Sequence, residues 1–89
     1  MKTNHLMLTE LLNEYHPAER GIISAEEMNL IVNTLCLDEM DILQLRNLRD
    51  FTVLFLTKNS TDTSWEDWDR MSAITCAIDH YIFKLGGEV

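Results

Sequence analysis

Cys76 and His80 stand four residues apart. On a helix that spacing places a thiol and an imidazole on one face, the arrangement from which a Cys–His nucleophile is built. The same face carries the polar Asp69, and nothing nearby in the sequence marks the thiol as activated. An ordinary helical cysteine is therefore expected. Metal chemistry finds no better footing. Carboxylate-bridged di-metal bundles use Glu-x-x-His pairs, but Ala77 stands three residues before His80 and Asn13 three before His16. Neither HExxH nor an EF-hand loop occurs. The oxygen-rich stretch NSTDTSWED lacks the loop glycine and the Glu at the twelfth position that calcium loops require. His5, at the edge of an apolar stripe, and His16, at a helix end, read as ordinary partly exposed residues. Phosphate-binding and serine-nucleophile motifs of the GxGxxG, GxxxxGK[ST] and GxSxG types are absent too. No catalytic, cofactor-binding or metal-ligating residue is assigned.

The stretch TDTSWEDWDRM, residues 61–71, is different. Trp65 and Trp68 lie three apart among Asp62, Glu66, Asp67 and Asp69. Aromatic anchors inside a polar rim are the usual anatomy of a protein-binding hot spot. The acids also have a local explanation. Asp62 falls in the preceding loop, Thr63 or Ser64 suits a helix N-cap, and the remaining three fit the positive end of the helix dipole.

The elements that must carry these residues follow from hydrophobic spacing. The chain has 89 residues with three Gly and one Pro, which favours one domain with few turns and long elements. Four helices are predicted, over 3–16, 25–36, 39–58 and 64–85. In the first, Leu8, Leu11, Leu12 and Tyr15 share a face and Pro17 stops the helix. Gly21 supplies the permissive position of the turn that follows. The second opens on Ser24 with Glu27 three residues on, a capping box, and carries the stripe Met28, Ile31, Val32 and Leu35. The third starts at Asp38 as N-cap. Its apolar residues run nearly all round, with a narrow polar strip at Arg46, Asp50 and Thr57, so it is expected to be central and mostly buried. Its segment FTVLFL has strand-like composition, but no second strand candidate exists to satisfy its backbone. The fourth carries Met71, Ile74, Ile78, Tyr81, Ile82 and Leu85, and Gly86 closes it. The fold class is all-α, a single small four-helix domain.

At about 100° per residue, Trp68 lies about 80° from Ile78 at the edge of the fourth helix's main stripe, and Trp65 about 140° away. Cys76 and Phe83 fall within about 20° of Trp65, drawing a second, thinner apolar line. Helices three and four thus have more apolar surface than one small core covers, which points to burial against another chain, most simply a second copy. The expected contact surface is Trp65, Trp68, Cys76 and Phe83, with Glu66, Asp67 and Asp69 as rim.

Charge narrows the partner. The net charge is −8, from seven Lys+Arg against fifteen Asp+Glu, which disfavours direct contact with nucleic acid or anionic membrane and favours a basic protein. Cys36 and Cys76, forty residues apart, read as reduced thiols. The N-terminus has no long apolar run, and the longest apolar-rich segment has six residues, far short of about twenty for a membrane span. The expectation is a cytoplasmic, non-enzymatic interaction module: an adaptor, regulator or inhibitor that forms a homodimer and meets a protein partner, for which the charge admits a basic one. Two rivals of other classes are an acidic mimic of nucleic acid that inhibits a DNA- or RNA-binding protein, and an enzyme whose site is assembled across a dimer.

Overall fold

The first three helices begin where their sequence can satisfy the first free N–H groups. In the computed structural model, which describes residues 3–17, 19, 21–59 and 65–87, the Thr3 hydroxyl accepts from the Leu6 amide at 3.2 Å and opens α1, Asn4–Glu14. The helix stops two residues short of the expected 16. Tyr15 turns extended, its N–H still bonded to Leu11 at 2.7 Å, two residues before Pro17. Ser24 and Glu27 form the reciprocal capping box of α2, Ala25–Leu35, with bonds of 3.1 and 3.0 Å.

The junction to the third helix differs from expectation. Cys36 ends α2 in the left-handed region, φ 56° and ψ 44°, and a single 3₁₀ turn follows over Leu37–Glu39. Asp38 is inside that turn and does not cap a helix. Asp41 does: its carboxylate accepts from the Gln44 amide at 2.8 Å, and the Gln44 side chain accepts from the Asp41 amide at 3.0 Å. This box, an acid followed by Gln at N3, starts α3, Ile42–Asn59, three residues later than the sequence reading had it. The fourth helix, α4, spans Trp65–Lys84. Its expected caps, Thr63 and Ser64, lie outside the described residues, as does Asp62. At its far end Gly86, φ 86°, donates to Phe83 and Gly87 donates to Ile82, both at 3.0 Å. These are the paired bonds of a Schellman motif.

The architecture is all-α, with four helices and no strand among the described residues. One core gathers Met7, Leu8 and Leu11 from α1, Tyr15 just after it, Ile31 and Leu35 from α2, Leu37 from the 3₁₀ turn, Leu45 and Leu48 from α3, and Ala73, Ile74, Ala77, Ile78 and Ile82 from α4. Each fully buried large side chain of this set contributes about 1.5–3 kcal/mol. The most extensive packing is between α3 and α4. They run antiparallel, since Arg49 meets Asp79 while the earlier Arg46 lies beside the later Gly87.

Burial of α3 follows one seam, Leu45, Leu48 and Thr52, flanked by half-buried Ile42, Phe51, Phe55 and Leu56. The Thr52 hydroxyl, fully enclosed, donates back to the Leu48 carbonyl at 2.7 Å. The apolar excess read from the sequence is real, and part of it stays in solvent: Leu43 is 69% exposed and Leu54 61%. The physical reason lies on the helical wheel. Leu43 and Leu54 fall within about 60° of the polar strip Arg46–Asp50–Thr57, the side turned away from α4.

The turn between α1 and α2 is held from a distance. The Asp69 carboxylate on α4 accepts from the Gly21 amide at 2.7 Å, and Arg70 meets the His16 ring at 3.2 Å. Tyr15 is buried beside this anchor. Burial raises its hydroxyl pKa above the ordinary tyrosine value, nearby Glu27 and Asp69 add to the rise, and Arg70 opposes it.

Candidate interaction surfaces

The outward face of α4 carries the residues that the sequence singled out. Trp65 is 38% exposed, Trp68 53% and Phe83 73%, and Cys76 is exposed with them. Trp68 is therefore the barer of the two tryptophans, although its place on the wheel suggested the edge of the core. Among the described residues, none of α4 before Ala73 belongs to the buried set. A side chain at the stripe edge, more than a turn ahead of Ala73, has no core to lean on.

These residues share a face but not a spot. Trp65 and Phe83 are eighteen residues apart, about 27 Å along a helix, and Ser72, Cys76 and His80 lie exposed on the same side between them. The two tryptophans form one apolar point near the start of α4, and Phe83 belongs to a second at its end. Near that second point a shallow hollow brings Leu85 of the α4 terminus together with Leu43, Ile42 and Met40, with Asp38, Glu39 and Asp41 at its rim. Asp69 is not with the rim residues. It is half-buried and turned to the chain's own loop through Gly21. Glu66 and Asp67 fall within α4, and their side chains lie outside the described residues.

Leu43, Val53 and Leu54 on α3 are exposed apolar positions that the sequence reading placed in a buried helix. Their nearness to the polar strip was the available signal. Between the two helices, Arg49 and Asp79 pair at 2.6 Å, partly buried, and fix the hairpin's crossing. His80 meets the Tyr81 ring edge-on at 5.9 Å, and the Lys84 ammonium lies 5.2 Å over the same ring. Among the described residues, no three His, Cys, Asp or Glu side chains gather as a metal-binding group, and no helix is long and apolar enough to cross a membrane.

Charge divides the molecule unevenly. Residues 1–41 hold eight acids against two bases, a net −6, and residues 42–89 hold seven against five, a net −2. Helices α1 and α2 contain no Lys or Arg, whereas α3 and α4 hold Arg46, Arg49, Lys58, Arg70 and Lys84. A second concave feature lies mostly in the acidic half: a groove of about 600 Å³ between α1, the end of α2, the 3₁₀ turn and the start of α3. Its spacing in sequence, spread over residues 4 to 47, gave no local motif by which to find it.

The fold and these surfaces define the class: a small acidic all-α domain with aromatic and aliphatic side chains presented on the outer faces of its last two helices. Neither the known family models nor curated proteins nor solved structures provide a match to the chain.

Proposed function

We propose that this protein is a non-enzymatic interaction module, a small cytoplasmic adaptor, regulator or inhibitor, that self-associates through α3 and α4. The observation that carries the reading is the exposure of Trp65, Trp68 and Phe83 on α4 together with Leu43, Val53 and Leu54 on α3. Six large apolar side chains on two adjacent helices favour burial against another surface. A second copy is the simplest occupant, because these helices belong to the nearly balanced half of the chain. Two copies joined there keep their strongly acidic halves apart, where like charges would otherwise oppose association. The isologous interface so formed has aromatic centres with charged residues around them. Two unpaired thiols, Cys36 and Cys76, agree with a reducing compartment.

The test is the solution mass. The wild-type chain is expected at twice its 10.4 kDa, and the double substitution Trp65→Ala with Trp68→Ala is expected to shift it towards the single-chain mass while circular dichroism stays helical. A wild-type chain that remains monomeric at roughly millimolar concentration rejects self-association.

A further inference from the structure

The groove in the acidic half has a floor and a rim of different chemistry. Met7, Met40 and Cys36 supply apolar, polarisable surface, the kind that adapts to varied side chains. Glu10, Glu14 and Glu39 line it, and no Lys or Arg is among its lining residues. Along α1 the lining positions run from Asn4 to Glu14, about 15 Å at 1.5 Å per residue, or nearly three helical turns. We propose that this groove is a docking site for a basic amphipathic helix of a partner protein. The partner's apolar stripe lies on Met7, Met40 and Cys36, and its Lys or Arg side chains reach Glu14 and Glu39.

Three observations select this occupant. The lining follows α1 from Asn4 to Glu14, a length that suits a rod laid along that helix. The soft apolar floor favours a helix with a hydrophobic stripe, which is the helix-in-groove mode of recognition. The carboxylates and the net −6 of residues 1–41 favour a cationic partner and repel nucleic acid and a second copy of this chain alike. The inference rests on the reading of the chain as a protein-binding module, but not on its self-association.

The two cysteines separate the two ideas. Cys36 lines the groove, and Cys76 is on the outer face of α4. The probe is a synthetic Leu/Lys amphipathic helix of about 14 residues, long enough to cover the groove at 1.5 Å per residue. It is titrated into the full-length protein while the reaction of each thiol with a maleimide is followed by mass spectrometry of peptides. The peptide is expected to slow labelling of Cys36 and to leave Cys76 unchanged, whereas self-association slows Cys76 as protein concentration rises. Glu14→Lys with Glu39→Lys, both at exposed positions, is expected to weaken peptide binding about tenfold or more. The control Glu19→Lys with Asp50→Lys, also exposed, makes the same change in net charge and is expected to leave binding within about threefold. Equal weakening by the two pairs, or peptide binding without protection of Cys36, overturns the proposal, as does failure of the peptide to bind a folded chain.

Discussion

Cys36 sits where a helix ordinarily asks for glycine, and this makes a quantitative prediction. Its φ of 56° is the only positive value among the described non-glycine residues. A side chain in the left-handed region costs roughly 1–2 kcal/mol, because Cβ crowds the following carbonyl oxygen. Glycine avoids that cost but gives up about 0.5–1 kcal/mol more conformational freedom than alanine on folding. Comparing Cys36→Gly with Cys36→Ala removes the half-buried thiol from both, so packing losses largely cancel. The glycine variant should then be the more stable by about 0.5–1 kcal/mol. At Asn29, exposed in the interior of α2, the order should reverse, with alanine ahead of glycine by about 1 kcal/mol. For a domain of this size, 1 kcal/mol moves the melting temperature by about 4–8 °C, within reach of thermal and urea unfolding followed by circular dichroism. Alanine equal to or better than glycine at position 36 refutes the left-handed cap, and an unreversed order at Asn29 refutes the helical assignment there.

Asp69→Ala should destabilise the fold by about 1 kcal/mol and speed amide exchange at Gly21, whose N–H it leaves without the carboxylate; Asp69→Asn, which keeps an acceptor oxygen, should recover most of the loss. Equal exchange at Gly21 in all three proteins would show that the anchor does not hold the turn. Tyr15 keeps its proton in the folded state above the pH at which an unfolded tyrosine, near 10.0, releases it. Its contribution is therefore complete below about pH 10 and is lost as pH rises through the higher folded-state value. Relative to wild type, Tyr15→Phe should gain stability between about pH 9 and about pH 11, and a constant difference across that range counts against the shift.

How much of this was legible depended on whether a signal was local. The Ser24–Glu27 box and the Gly86 terminus were readable because cap chemistry is written within a few residues of the helix end. The start of α3 was read at Asp38, whereas Asp41 is the acid with Gln44 three residues on, the spacing of the box that forms. The exposed line on α4 followed from periodicity. Its bareness at Trp68 did not, because periodicity gives a direction around a helix and not how far along its length neighbours extend. That Leu43 and Leu54 are on the uncovered side of α3 did not follow either, because a composition apolar all round does not say which side is covered. The groove depends on four separate segments meeting, and the Asp69–Gly21 bond spans 48 positions, so neither has a signature in any short window.

That long-range anchor bears on the order in which the chain can acquire its structure. The α1–α2 turn is tied down by Asp69 and Arg70, partners 48 and 54 positions away from Gly21 and His16. The cores of α1 and α2 are likewise completed by side chains from Ala73 to Ile82. A domain emerging from the ribosome makes its N-terminal helices first; here α1 and α2 can pack on each other, but the turn between them and the core they share are completed only when α4 docks. Closing so long a loop costs entropy before its contacts repay it. Until α4 docks, the α1–α2 pair lacks the side chains from Ala73 to Ile82 that complete its core.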